Sequence, residues 1–504
     1  MARYCLAAGV THTPQKPALV VAAASGEPVT LTFAHLETAI LRIAAFLRGR
    51  GNVPAGGRVM IRLRNEMAYP LAFFGAVAAG LVPIPTSPDL TEREVDVLLG
   101  DADPAAVIGD DSLPVGSPPA SVRLISARAI RDAISSGPAA TYADTLADDP
   151  AFLIYTSGTT ARPKGVLHAH RSAWGRRPMY RGWYGMNASD RILHAGGFNW
   201  TYTLGTGLTD PWANGATAVA FVGEKKPDVW PRLIREHQIT LFAAVPGVYR
   251  QILKYAHVDN DGIGCLRHGL CAGETLPQDI QAEWRARTGR PLFEALGMSE
   301  LSTYISTGPD TPPKPGTVGR AQPGRCVAIL PEDNGCEPLP PDAPGLIAAH
   351  RTDPGLMLGY WRRQDEEAQV FRGDWFIGGD AGAIDGEGYV THFGRRNELM
   401  NAGGFRVSPV EVEQELARHP LVAEVAVAEV ELRPGTAVIA AFVVPREGMH
   451  ADADALRAHA QTCLARYKQP REYVFIDELP RTASAKVKRA DLQRVFANMG
   501  NQGR

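Results

Sequence analysis

The stretch Ile154-Tyr155-Thr156-Ser157-Gly158-Thr159-Thr160-Ala161-Arg162-Pro163-Lys164-Gly165-Val166 gathers hydroxyls, glycines and one lysine directly behind an apolar run. Backbone N–H groups in such a loop, with three threonines and a serine, can surround phosphate oxygens, and Lys164 supplies the opposing charge. A Walker A loop needs G-x-x-x-x-G-K-[ST]. Here the lysine follows Pro163 and precedes Gly165, so that spacing fails. A solvated Ser/Thr turn would explain the hydroxyls but not the whole ordered string. Four more charged residues stand in short glycine- or alanine-marked strings: Glu300 after Leu296-Gly297-Met298-Ser299, Asp380 after Gly378-Gly379, Arg395 after Gly394, and Lys486 after Ser484-Ala485. On composition alone, Glu300 reads as an exposed helix-start acid, Asp380 as a turn aspartate and Lys486 as a solvated tail lysine.

These residues need a framework, and the pattern of the chain supplies one. Short β-branched runs (Ala18–Ala22, Arg58–Leu63, Val82–Pro85, Ala105–Ile108) alternate with helical segments such as Phe33–Arg50 and Glu92–Leu98. That alternation predicts an α/β unit with a largely parallel sheet. Asp110 to Pro150, rich in Ser, Pro, Ala and Asp, reads as surface wrapping. A strand over Ala151–Tyr155 leads into the Gly/Thr loop, with a helix expected from about Ala169. A second alternating stretch, Arg191–Glu300, carries strands near Ala216–Val222, Leu241–Val245 and Leu266–Cys271. Ten prolines between Gly308 and Gly345 exclude a long helix there and favour short strands and turns. From Ser408 a helix–strand–strand–helix pattern forms a compact unit of roughly a hundred residues.

A length of 504 residues exceeds what one hydrophobic core holds. With 45% apolar, 21% charged and 8% aromatic residues, the composition is that of a globular protein, excluding a disordered chain, a coiled coil or a collagen-like rod. The 52 basic side chains against 54 acids give a formal charge of −2, which does not support a nucleic-acid binder. Six cysteines without a CxxC pair suggest neither a disulfide framework nor a zinc ribbon, and read as reduced cytoplasmic thiols. The N-terminal segment lacks the pattern of a secretory signal. Met67 to Pro85 carries no charge and is long enough to span a bilayer, but Pro70, Pro83 and Pro85 confine its helix to about Leu71–Leu81. It reads as a buried helix running into a buried strand, in a soluble cytoplasmic protein with no integral membrane contact.

The phosphate-type loop resembles the signature of the adenylate-forming superfamily: acyl-CoA synthetases, peptide-synthetase adenylation domains and luciferases. Five further segments resemble that superfamily's motifs in the same order. They are Cys271-Ala272-Gly273-Glu274-Thr275-Leu276-Pro277 (adenine side), Leu296–Glu300, Trp375-Phe376-Ile377-Gly378-Gly379-Asp380 (ribose), Gly394-Arg395 with Gly403-Gly404-Phe405-Arg406-Val407-Ser408-Pro409 (hinge), and Leu479-Pro480-Arg481-Thr482-Ala483-Ser484-Ala485-Lys486. Within the superfamily, Leu204-Gly205-Thr206-Gly207, Val245-Pro246-Gly247-Val248-Tyr249 and Ser408–Glu413 look closest to benzoate-CoA ligases and medium-chain acyl-CoA ligases.

The resemblance implies an α/β fold. A large N-terminal domain (1–394) of two α/β subdomains plus a small β-rich one would bind ATP and the acid. A mobile α+β C-terminal domain (395–504) would carry the catalytic Lys486. It further implies an AMP-forming acid–thiol ligase that makes an acyl-AMP, releases pyrophosphate and passes the acyl group to coenzyme A. Thr156, Ser157, Gly158, Thr159, Thr160 and Lys164 would hold the β- and γ-phosphates. Glu300 would ligate Mg²⁺, and Ser299 would bond the α-phosphate. Ala272, Gly273, Glu274, Glu294, Ala295 and Leu296 would flank the base. Asp380 and Arg395 would meet the ribose, and Gly403 and Gly404 the thiol substrate. Trp200, Tyr202, Thr203, Ala295 and Tyr304 would line an acid pocket whose aromatics favour a small or aromatic acid.

Several positions depart from the pattern: Ala161 and Ala485 for glycine, Asn397 at the hinge, Leu296 for a stacking aromatic, and Asn401 where benzoate ligases carry lysine. An enzyme loading a carrier protein shares every motif. A non-catalytic nucleotide binder on the same scaffold would not require Lys164, Glu300, Asp380, Arg395 and Lys486 together. A homodimer is left open.

Overall fold

In the computed structural model, the described residues are all but 25, 157–162, 397–399, 403–404, 434–435, 465, 483–486 and 503–504. The fold is mixed α/β, with a large N-terminal domain and a small C-terminal one.

Two sheets dominate the large domain. A parallel four-stranded sheet runs in the order Val82–Pro85, Arg58–Arg62, Ala106–Gly109, Arg123–Ser126. A nine-stranded sheet has a parallel centre that includes Pro17–Ala23, Thr217–Val222, Arg191–His194, Leu241–Ala244, His268–Ala272 and Leu292–Met298. Helix Ala68–Ala78 is buried along its whole length. At 11 residues it accounts for the uncharged Met67–Pro85 segment, and among the described residues no helix is long and apolar enough to cross a membrane. Helix Glu92–Ala102 is set by a capping box between Thr91 and Glu94. One expectation needs correction: the stretch read as surface wrapping contains strand Arg123–Ser126 and helix Ala127–Ser135. The helix buries only Ala127, Ile130 and Ala133, a stripe too thin to stand out from its Ser/Asp-rich surroundings.

The helix expected from Ala169 is also revised. Strand Pro150–Thr156 turns back through the Gly/Thr loop into an antiparallel partner, Lys164–Ala169, and only then do short helical turns follow from His170 to Tyr184. The proline-rich region yields short strands, as expected. Val327–Leu330 and Gly345–His350 join Trp375–Ile384 and Val390–Arg395 in one antiparallel sheet.

In the small domain, Val422–Arg433, Thr436–Pro445 and Glu472–Phe475 form a sheet. Val412, Leu416, Leu456 and Ala460 of two helices cover one face, and Leu492 of a third helix packs on the other. Ser408 caps the helix Pro409–Ala417, and its hydroxyl also donates to the carbonyl of Phe393, tying this helix to the preceding sheet. Arg250 to Glu424 (3.3 Å) and Arg418 to Gln278 (3.2 Å) bridge the small unit to the large one.

Candidate active site

Three chain segments converge at the antiparallel pair Pro150–Thr156 and Lys164–Ala169. The hairpin places Thr156 opposite Lys164 at the mouth of the loop. Gly359–Tyr360 pairs on the outer edge of the Lys164–Ala169 strand, and the N–H of Trp361 donates to the carbonyl of Gly165. The N–H of Met357 donates to the carbonyl of Glu300 at 2.8 Å. The side chains continue the junction. The Tyr360 hydroxyl donates to Oε1 of Glu300 at 2.8 Å, while Nζ of Lys164 lies 5.0 Å over the Tyr360 ring and 2.5 Å from Oε2 of Glu366. Tyr360 and Glu366 line an open cleft of about 700 Å³ walled by Leu167 and residues 358–367, within the range of about 300–1,000 Å³ typical of small-molecule sites.

Behind the junction, His168 fixes the turn that presents Ser299 and Glu300. Its Nε2 contacts the carbonyl of Ser299 at 2.8 Å, and its ring stacks on Phe152 at 4.6 Å. Burial pushes its pKa down to about 4, so the ring is neutral at pH 7 and Nε2 carries the donated hydrogen. A separate void of about 50 Å³ beside His168, Arg176 and Ser302 has room for a few waters and is too small for an organic acid.

The two segments expected to flank the base are joined through Glu294. Its strand lies parallel to His268–Ala272, with Glu294 opposite Cys271 and Ala295 opposite Ala272. Oε1 accepts the N–H of Leu276 at 2.7 Å, anchoring the loop that contains Gly273 (φ +97°) and Glu274. Desolvation raises this carboxyl to about 8. Leu296 sits at a bulge where the strand pairs with Ser302–Ser306.

Asp380 and Arg395 are opposite one another in an antiparallel pair. Oδ1 of Asp380 lies 3.2 Å from Nε of Arg395 and 3.2 Å from Nε2 of His392, and Arg395 also donates to the carbonyl of Gly378. At Gly378 an added Cβ would meet the terminal thioether of Met298, which would have to shift to admit it. That close approach joins the Asp380 string to the Glu300 string.

The expected acid-pocket residues divide between two clusters. Tyr202 and Ala295 share a cluster with Trp183. Tyr202 meets His194 edge-on at 4.3 Å, and Thr203 Oγ1 lies 3.1 Å from His194 Nδ1. Trp200 is half-buried on the same turn. Tyr304 belongs to a cluster with Val166, Met298 and Leu301, on the side of the Lys164–Ala169 strand. Ser157, Gly158, Thr159, Thr160, Ala161, Asn397, Gly403, Gly404, Ala485 and Lys486 lie outside the described residues. Sequence reasoning passed over Tyr360, Glu366 and His168. Residues 364–367, Gln-Asp-Glu-Glu, carry no motif, and the pairing of Glu366 with Lys164 has no local signal.

The model of the AMP-binding enzyme family matches residues 6–361, and that of its C-terminal domain matches 411–486. The benzoate-CoA ligase of Thauera aromatica is 31% identical over 479 residues, covering 92% of this chain and 90% of that protein. The mouse mitochondrial acyl-coenzyme A synthetase ACSM3 is 28% identical over 496 residues, covering 93% and 85%. Among solved structures, ATP-bound MatB from Rhodopseudomonas palustris superposes with a TM-score of 0.89 at 28% identity, covering 99% of this chain and 100% of that one. A benzoate CoA ligase from Burkholderia xenovorans LB400 gives 0.87 at 29%, covering 98% and 99%. The chain belongs to the AMP-binding enzyme family, among its AMP-forming acid–thiol ligases.

Proposed function

We propose that this enzyme is an ATP-dependent carboxylate–CoA ligase for a small, aromatic or medium-chain acid, working in the cytoplasm. A free carboxylate is a poor acyl donor because its leaving group would be oxide. Attack of the carboxylate oxygen on the α-phosphorus forms an acyl-AMP anhydride and expels pyrophosphate. The CoA thiolate then attacks the acyl carbon and AMP leaves. Neither step asks the protein for covalent chemistry; positioning and neutralisation of phosphate charge carry the rate.

In this reading Thr156, Lys164 and the loop residues Ser157, Gly158, Thr159 and Thr160 bind the β- and γ-phosphates, and Ser299 bonds the α-phosphate. Asp380 accepts from the ribose hydroxyls, with Arg395 bridging ribose and phosphate. Glu274, Glu294, Ala295 and Leu296 border the base, and Trp200, Tyr202 and Thr203 shape the acid pocket. Lys486 neutralises charge while the acid attacks, and Gly403-Gly404 later face the thiol. The boundary between the domains falls at Gly394/Arg395, with Asn397 in the hinge.

The donor set near Glu300 suits Mg²⁺. The carboxylate takes one hydrogen bond from Tyr360, and the described residues contain no cluster of three metal-ligating acids, His or Cys. An ion held by one carboxylate and by substrate phosphates matches the habit of Mg²⁺. When bound, it would offset charge on the leaving pyrophosphate.

The observation that carries the reading is the junction of Lys164, Tyr360 and Glu300 at the mouth of the Gly/Thr hairpin, beside a cleft of sufficient size. The test is pyrophosphate release across a panel of aryl, branched and short- to medium-chain acids, with free CoA and chromatographic detection of the thioester. Acid-dependent pyrophosphate release coupled to thioester formation is expected. Release without thioester from free CoA would refute the ligase reading.

A further inference from the structure

Lys164 already has an anionic partner. Oε2 of Glu366 lies 2.5 Å from its Nζ, and the other carboxylate oxygen lies 3.7 Å from Nε of Arg363, so one carboxylate is set between two cations. Arg363 is itself anchored. It pairs with Asp101, whose second oxygen accepts the Tyr155 hydroxyl at 2.6 Å and whose carbonyl accepts the Trp361 indole N–H at 3.0 Å. Glu366 stands on the wall of the cleft, and the side chains of Lys164 and Glu366 retain 22% and 30% of their exposure. A carboxylate on the ammonium at hydrogen-bond distance occupies the direction a phosphate oxygen would use, since both are oxyanions satisfied by the same charge-assisted bond.

We propose that Glu366 is a positioning residue that holds Lys164 as a surrogate for the terminal phosphates, yields it when ATP binds and takes it back when pyrophosphate leaves. The inference rests on the reading of Lys164 as a phosphate ligand. A triphosphate brought onto the ammonium meets the carboxylate as a like charge at short range, and that repulsion drives the exchange. Arg363 keeps Glu366 paired after the lysine has gone, so no carboxylate is stranded. Two consequences follow. The lysine side chain is held by Glu366 before nucleotide arrives, which lowers the entropy lost on binding. ATP and pyrophosphate are both held less tightly than an uncontested lysine would hold them, which speeds departure of the product.

The test is calorimetric titration of the whole protein with ATP and, separately, with pyrophosphate, each with Mg²⁺ and without acid. Glu366→Gln keeps the shape and removes the charge. It should tighten both ligands, by about tenfold each. Glu366→Asp should stay within about threefold of wild type, because the charge remains. In a Lys164→Met background, Glu366→Gln should bring no further tightening. A purely structural role could not produce this gain. Unchanged or weaker binding by Glu366→Gln overturns the exchange, as does tightening that persists without Lys164. A wild type that binds neither ligand overturns the functional reading and this inference with it. A wild type that binds both while Glu366→Gln binds no tighter overturns the exchange alone.

Discussion

Glu294 makes the stability of this protein depend on pH in a direction opposite to that of most carboxylates. The side chain is buried on the strand next to Cys271, with one hydrogen bond from the N–H of Leu276. Desolvation outweighs that bond and raises the carboxyl from 4.5 to about 8. The folded state therefore holds a proton that the unfolded chain has released over the range between those two values. Where the native state binds the extra proton, unfolding free energy falls as pH rises. The contribution is complete below pH 4.5 and is lost as pH climbs through about 8. At about 1.4 kcal/mol per unit, the full span is worth roughly 5 kcal/mol, an upper figure for one group. Glu294→Gln keeps the amide-like shape and an acceptor for Leu276 but cannot ionise. The variant should match wild type near pH 5 and exceed it near pH 9 by about 2–4 kcal/mol. The assay is urea denaturation of both proteins at pH 5, 7 and 9, with the difference in midpoint multiplied by the slope. A difference that does not change with pH would refute the assignment of a protonated, buried Glu294. A variant that loses stability most at high pH would show that Glu294 is an ionised group paired in the fold.

Lys486→Ala should lower adenylate formation by on the order of 10²–10³ while leaving thioester formation from synthetic acyl-AMP and CoA near normal; loss of both steps together would mark the lysine as structural. Gly378→Ala pushes a methyl into the Met298 thioether. It should cost about 1–3 kcal/mol in denaturant titrations and raise the KM for ATP, and Met298→Ala in the same chain should restore part of both. Tyr202→Ala removes a ring packed against His194 and Trp183 and should move preference toward longer or bulkier acids. One methylene is worth about 1–3 kcal/mol of discrimination, so an unchanged order across a chain-length series would exclude Tyr202 from the pocket.

The chemistry-bearing strings were legible because each does its work locally. A loop that cradles phosphate needs consecutive N–H groups and hydroxyls, and those must be neighbours in the chain. Strand–helix alternation was legible for the same reason: Val82–Pro85 and the start of the helix at Phe33 stand where the periodicity put them, because hydrophobic spacing and N-caps are local. The turn of the Gly/Thr loop into a second strand was not, since Lys164–Ala169 reads equally as the approach to a helix until Pro150–Thr156 and Gly359–Tyr360 pair on its two edges.

The sequence by itself determined which residue types are candidates for phosphate, ribose and metal chemistry, and in what order they stand along the chain. Only the tertiary structure decided who their partners are. Tyr360 reaches Glu300 across 60 residues and His168 reaches Ser299 across 131, and Glu366 meets Lys164 only because the strand Gly359–Tyr360 brings its helix to the hairpin. It also decided what packs behind the two pocket tyrosines, setting Tyr304 in the cluster of Val166 and Met298 and Tyr202 in that of Trp183. The reason is physical. Charge pairing, desolvation and packing depend on distance in space, and a distance set by sheet register between remote strands leaves no trace in the residues on either side.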